Sequence, residues 1–172
     1  MSARRPLRLD PIAEARRQWQ AHGWSDAAPG MAAVTSVVRA HQIYMARVES
    51  LLRPLDLSFA RYELLMVLMF TRRGELPLNK LGSRLQVHPT SVTNAVDRLE
   101  QQGLLQRVAH PTDGRTTLAR ITGPGRRAAA AATGILNTEV FSAPGLEPAE
   151  VEQLVATLTR LRQGAGDFEP AG

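Results

Sequence analysis

Apolar residues recur at spacings of three and four along most of the chain, which predicts a mainly helical protein. Around VHP at 87–89 this repeat is interrupted, because Pro89 lacks an N–H and disfavours a helical conformation in the residue before it. Two short helices are therefore predicted, one on each side of the break. Their buried faces are Leu78, Leu81 and Leu85 in the first and Val92, Ala95, Val96 and Leu99 in the second.

Two strand-like segments follow these helices. Gly103 ends the second helix, and LLQRVA and TTLARIT then predict a hairpin around HPTDGR, in which Asp113-Gly114 is a tight-turn signal. Arg115 is expected at the root of this hairpin, and Leu76 is expected to add a short third strand. The order is that of a winged helix-turn-helix, over residues 76–122. The predicted fold class is mainly α with a small β wing.

Helices are also predicted on both sides of this unit. Asp10 and Pro11 begin an N-terminal helix over 10–23, after a flexible basic tail at 1–9. Residues 29–73 are assigned to dimerisation and core helices, with a loop at 25–30, a long helix from Met31 to about Arg53 and a second helix after Ser58. Residues 123–165 form two C-terminal helices. We interpret the outer helices as a dimerisation layer.

The second helix of the helix-turn-helix turns small polar side chains outward. They are Thr90, Ser91, Asn94, Asp97, Arg98 and Gln101. An asparagine can pair with adenine, and an arginine can bind a guanine edge or a phosphate, so this face suits a DNA groove. A helix face that is simply solvated accounts for the same residues equally well.

The charge distribution favours the DNA interpretation. The chain has 21 Lys and Arg against 16 Asp and Glu, a formal net charge of +5. Residues 78–127 hold eight of these basic and three of these acidic residues, so the excess of +5 lies there and the remainder balances at 13 against 13. An excess confined to the helix-turn-helix is expected of a surface that binds a polyanion.

The segments VTNAVDRLEQQGLLQR and HPTDGRTTLARIT, followed by Gly125, resemble the core signature of the MarR family of bacterial transcriptional regulators. The resemblance implies a homodimer that binds a pseudo-palindromic double-stranded operator, usually as a repressor, and that a small ligand releases. The family's DNA contacts correspond to Pro89, Thr90, Ser91, Thr93, Asn94, Arg98, Asp113 and Arg115, to which we add the basic Lys80 and Arg84. Gly114 departs from the family pattern, where a basic residue is common.

A ligand site is predicted around His41, which lies on the apolar face of the long helix. His41 is either a histidine buried in the core or dimer interface, or a polar anchor for a flat, weakly acidic aromatic compound. The residues considered around such a ligand are Trp24, Arg39, Tyr44, Arg61 and Tyr62, and the resemblance to family members with an added helix implies Trp19 or Trp24.

Other functional classes find little support in the sequence. The chain has no cysteine, no apolar run long enough to span a membrane and no signal core, which predicts a soluble, cytoplasmic protein. We find no common catalytic motif and no histidines at metal-ligand spacing, so neither an enzyme, a metal site nor a cofactor is expected. The alternatives are a winged-helix module for protein contacts and a DNA-binding protein without a ligand.

Overall fold

A computed structural model describes residues 7–85 and 89–169. Residues 1–6 of the predicted tail, and Val87 and His88 of the predicted break, lie outside these ranges. The helices are α1 (Pro11–Ala21), α2 (Ala28–Leu52), α3 (Phe59–Met69), α4 (Leu78–Leu85), α5 (Pro89–Gln101), α6 (Gly123–Leu136) and α7 (Pro148–Gly164). The strands are β1 (Glu75–Pro77), β2 (Leu105–Ala109) and β3 (Thr117–Ile121). The chain forms two compact units, the first ending at Ser50 and the second beginning at Leu51.

The first unit contains α1 and most of α2. Asp10 caps α1 as predicted, since its Oδ1 accepts a hydrogen bond from the amide of Ile12 at 2.9 Å. The long helix begins at Ala28, three residues before the predicted start at Met31, because Pro29 is tolerated in the first turn of a helix. Much of its apolar surface is uncovered: Val34 is 65% exposed, and Val37 and Val38 are about half exposed.

The core of the second unit surrounds α3. Ser58 caps this helix, and Leu64, Leu65 and Leu68 are fully buried within it. The helix ends at Met69 instead of continuing through the arginines at 72 and 73, and Phe70 just beyond it is 78% exposed. The layers around α3 contribute further fully buried side chains, which are Leu81, Val96, Leu99, Leu105, Ala129, Ala132 and Leu136.

The three strands form one antiparallel sheet in the order β1-β3-β2. Leu76 pairs with Ala119 in β3, which confirms the predicted third strand. In the hairpin, Leu105 pairs with Ile121 and Ala109 with Thr117. We call residues 105–121 the wing. The Glu75 carboxylate accepts from Arg120 Nε at 2.6 Å and ties β1 to β3.

Helix α6 begins directly against the turn that follows α5. Thr122 caps it, with its Oγ1 accepting from the amide of Gly125 at 3.1 Å and donating to the carbonyl of Gly103 at 2.8 Å. The chain also approaches closely here, because a Cβ added to Gly125 would lie 1.9 Å from the carbonyl oxygen of Leu104. Only glycine fits at this position without moving the backbone.

We expect Gly125→Ala to destabilise the protein by about 1–3 kcal/mol, because the added methyl group overpacks against a backbone atom. Gly134→Ala in the same helix is the matched control, since nothing lies within 4 Å of its added Cβ. That variant should be neutral or up to about 1 kcal/mol more stable, because alanine favours the helix. Urea unfolding of both variants measures the difference. Equal free energies of unfolding would contradict the close approach.

Candidate nucleic-acid interface

The exposed face of α5 carries most of the polar residues predicted to contact DNA. Val92, Val96 and Leu99 are buried, which leaves the opposite face of the helix outward. The exposed residues on that face are Thr90, Ser91, Thr93, Asn94, Arg98 and Gln101. Pro89 is the first residue of α5. Helix α4 adds two exposed cations, Lys80 and Arg84, near its middle and end.

The tip of the wing is a turn organised by Asp113. The Thr116 amide donates to the Asp113 carbonyl at 3.0 Å, so Gly114 and Arg115 are the central residues of the turn. The Asp113 carboxylate also accepts from the Thr116 hydroxyl at 2.6 Å and from the Arg115 amide at 3.0 Å. These bonds, the hydroxyl first, hold the pKa of Asp113 below its usual range.

This geometry confirms one expectation for the wing and corrects another. Asp113 and Gly114 lie in a tight turn as predicted, as its first and second residues, although Gly114 does not adopt the positive φ of a two-residue hairpin turn. The reason is that aspartate at the first position of a turn accepts the amide two residues on. Arg115 therefore lies at the tip of the wing, where it is exposed, and not at its root.

One predicted outward residue of α5 has a different role. Asp97 is half-buried and forms an ion pair with Arg107 of β2. The same guanidinium pairs with Glu100, whose Oε1 also accepts from the Arg107 backbone amide at 2.9 Å. That backbone hydrogen bond is the main cause that lowers the pKa of Glu100. We call Asp97, Glu100 and Arg107 the helix–wing clamp.

The remaining cations of this surface are left available. Arg107 is held by its two acids and Arg120 by Glu75. By contrast, Lys80, Arg84, Arg98 and Arg115 form no ion pair with any residue in the described ranges. All four are exposed. Cations with these properties attract an anionic partner at little desolvation cost.

A cavity of about 520 Å³ lies in the second unit beside α3 and α4. Its walls include the aromatic rings of Phe59, Tyr62, Phe70 and Phe141, together with Glu63 and Arg84. The Tyr62 hydroxyl lies 3.1 Å from Thr133 Oγ1 of α6. Burial raises the pKa of Glu63, so its carboxyl is more easily neutralised than an exposed one. This volume is typical of small-molecule sites.

The other predicted ligand residues are distributed over both units. In the first unit, Trp19 and Trp24 pack edge to face with ring centroids 5.4 Å apart. His41 is exposed in the single chain and not buried on its helix face, since little of α2 is covered there. Tyr44 is half-buried. Arg39 lines a cavity of about 410 Å³ between α1 and α2.

Arg61 has a partner that the sequence did not indicate. It donates to Gln102 Oε1 at 3.2 Å, and the Gln102 amide in turn donates to the backbone carbonyl of Asp56 at 2.8 Å. This series of hydrogen bonds ties the end of α5 to the start of α3. Because its guanidinium is engaged here, Arg61 has a structural role in the second unit.

Neither metal nor membrane sites emerge from the described part of the chain. In residues 7–85 and 89–169, no three His, Asp or Glu side chains are grouped to hold a metal ion. The helices in those ranges are also too short or too polar to cross a bilayer.

Comparison with known proteins identifies the family that shares this fold. The model of the MarR family matches residues 60–117, which span α3 to the first residue of β3. The crystal structure of Sco5413 from Streptomyces coelicolor, described as a MarR family transcriptional regulator, is 46% identical. It superposes with a TM-score of 0.74 over 83% of this chain and 99% of that one. The chain belongs to the MarR family.

More distant relatives add two observations about this MarR family member. The transcriptional regulator MhqR of Bacillus subtilis is 35% identical over 102 residues, which are 59% of each chain, so the match spans little more than half of that relative. Sco3205 of Streptomyces coelicolor, solved in complex with DNA, is 22% identical and covers 81% of this chain and 87% of its own. Its TM-score of 0.67 shows that the fold is shared.

Sequence reasoning missed the helix–wing clamp of this family member, although a signal for it exists. Asp97 and Glu100 are three residues apart and so share one side of α5. The short turn at Gly103 then brings β2 back along that side, with Arg107 in reach of both. Acids on a surface that is otherwise basic are a sign that a partner cation lies next to them.

Proposed function

We propose that this protein is a transcriptional regulator, and not an enzyme, that binds a pseudo-palindromic DNA operator as a homodimer. The observation that carries the proposal is the surface formed by α5, α4 and the wing, where four exposed cations border a face of hydroxyls and an amide. A recognition helix of this kind fits the major groove, and Arg115 at the wing tip fits the neighbouring minor groove. Bound over a promoter, such a dimer represses transcription by excluding other proteins.

A winged helix can also serve as a protein-contact module, and the two functions differ in their response to salt. Neutralising several phosphates releases counterions, so DNA affinity falls steeply as salt is added. A duplex enriched by the wild-type protein from a random-sequence library provides the probe. A gel shift without strong salt dependence, or no enrichment at all, would favour the protein-contact alternative.

On that duplex, we expect Asn94→Ala to cost about 1–3 kcal/mol of binding at one base position, because an asparagine amide discriminates by paired hydrogen bonds. Arg115→Ala should weaken binding at all sequences more evenly and reduce the salt slope by about 1. The two half-sites should lie roughly 10 base pairs apart. Fluorescence anisotropy on matched and single-substituted duplexes measures all three quantities.

Arg53→Ala is the charge-matched control, since Arg53 is exposed in the short turn that follows α2. Its affinity for the duplex should equal that of the wild type. If Asn94→Ala and Arg115→Ala also bind as the wild type does, this surface is not the DNA-binding surface.

The homodimer is supported by apolar surface that the single chain leaves uncovered. Val34, Val37, Val38 and Ile43 are each at least 46% exposed on α2, and Leu161 on α7 is 61% exposed. Apolar surface left exposed in this way on each of the two units usually marks an interface. The occupant that we propose is a second copy of the same chain, because a pseudo-palindromic operator requires a two-fold arrangement.

We expect the wild type to sediment as a dimer at micromolar concentration, with an interface above about 2,000 Å². Val37→Glu should shift it to a folded monomer, because an unpaired carboxylate in an interface costs several kcal/mol. Ser83→Glu adds the same charge at an exposed position of α4, a helix that is not part of the proposed interface, and should leave the dimer intact. A wild type that sediments as a folded monomer contradicts the proposal.

Release by a small effector is supported by the aromatic cavity in the second unit. Its four rings favour a flat aromatic ligand by stacking, and Arg84 can bind an acidic group of that ligand. A phenolic acid is the class that we propose. An anion held by Arg84 competes with DNA phosphate for the same side chain. This gives the ligand the difference in affinity between free and bound protein that release requires.

The effector proposal is tested by titrating hydroxybenzoates and purines against the protein–duplex complex. Tyr62→Phe keeps the ring but removes the hydroxyl near Thr133, and we expect it to raise the concentration needed for release about tenfold. His41→Ala tests the predicted anchor on α2. A compound that releases DNA equally from wild type and both variants binds elsewhere. If no compound in the panel acts, a ligand-independent DNA-binding protein is favoured.

A further inference from the structure

Helix α5, the proposed recognition helix, carries more negative than positive charge of its own. Within Pro89–Gln101 the charged residues are Asp97, Arg98 and Glu100, a formal charge of −1. The proposed partner of this helix is a dense row of phosphates. Two uncompensated carboxylates on it would repel that partner over distances of up to about 10 Å at ordinary salt. The helix therefore needs a cation that is supplied from elsewhere.

Arg107 supplies it from the first strand of the wing. Its Nη2 pairs with Asp97 Oδ1 and its Nη1 with Glu100 Oε2, so both ends of the guanidinium face α5. The backbone amide of Arg107 adds a hydrogen bond of 2.9 Å to Glu100 Oε1. The Arg107 side chain is only 29% exposed, so it is less accessible to a phosphate than the exposed cations of this surface.

The clamp also joins the two elements that the operator must meet together. Asp97 and Glu100 belong to α5, which is proposed to enter the major groove, and Arg107 belongs to β2, which leads to the wing tip. A forked guanidinium bound at both ends restricts rotation of one element against the other. Its three contacts thus set how far Arg115 lies from the base-reading face of α5.

We propose that Arg107 is a positioning residue for DNA binding: it neutralises the two carboxylates of α5 and aligns α5 with the wing, without contacting DNA itself. This inference rests on the proposed DNA-binding function and adds to it a residue outside the predicted contacts. It also means that Arg107 does not contribute to the basic excess counted from the sequence.

The test is a double-mutant cycle on the duplex enriched by the wild type. Its four proteins are the wild type, Arg107→Gln, Asp97→Asn with Glu100→Gln, and the triple variant. Arg107→Lys is added because an ammonium keeps the charge but cannot bind both carboxylates in a fork. Affinities are measured at a temperature at which circular dichroism shows every variant to be folded. Unfolding therefore does not enter the comparison.

We expect Arg107→Gln to weaken binding about tenfold or more, because it frees two carboxylates beside the phosphates. The triple variant should recover the part of that loss that comes from repulsion, and should keep the part that comes from lost alignment. In the wild-type background the same two amide substitutions should not strengthen binding, since the carboxylates there are already neutralised and the alignment is lost with them. Arg107→Lys should fall between the wild type and Arg107→Gln.

Two results overturn the inference. If the amide substitutions improve affinity by the same factor in both backgrounds, Arg107 and the acids act independently. If the amides strengthen binding only while Arg107 is present, Arg107 is a phosphate contact that the acids restrain. In both cases the wild type still binds the duplex and the proposed function stands. Failure of the wild type to enrich any duplex removes the proposed function, and this inference with it.

Discussion

Burial of α3 is the interaction on which the second unit depends. This helix packs against α4, α5, α6 and the strands β1 and β3, and its leucines at 64, 65 and 68 have no exposed surface. Each fully buried leucine is worth roughly 1.5–3 kcal/mol relative to an exposed one. Because α4, α5 and the β3 strand of the wing all pack on this helix, α3 fixes their positions relative to one another.

Polar bonds at the rim then orient the elements that α3 holds together. Thr122 and Gly125 dock the start of α6 against the turn after α5, and Gln102 connects the end of α5 to Arg61 and Asp56. The helix–wing clamp adds the third tie. These contacts are polar or close backbone contacts at the rim, so they orient the elements and add little to the apolar core.

The distribution of charge follows the same division. Cations proposed to meet DNA, such as Arg98 and Arg115, are exposed and have no acidic partner in the described ranges. Cations with a structural role, such as Arg107 and Arg120, are bound to carboxylates. Arg84 belongs to two proposed sites, because it is exposed on α4 beside the DNA-binding surface and also lines the aromatic cavity.

The sequence by itself determined much of what depends on neighbouring residues. Helix caps at Asp10 and Ser58 and the apolar faces of α4 and α5 follow from spacing and local hydrogen bonds, and the structure has them. The strand at Leu76 was also predicted, although its partner Ala119 lies in a distant segment. The family signature is also local, since it runs through contiguous residues from α5 to the wing.

Tertiary structure alone decided which groups meet across the fold. Asp97 looks outward on a helical wheel, but β2 returns beside it and its carboxylate is paired. Arg61 looks like a ligand contact, but a glutamine 41 residues away occupies it. His41 lies on an apolar helix face that the single chain leaves exposed. For Asp97 and Arg61 the deciding partner is distant in sequence, and for His41 it is the lack of a covering segment in the single chain that decides. Periodicity carries no information about where two separate segments pack together.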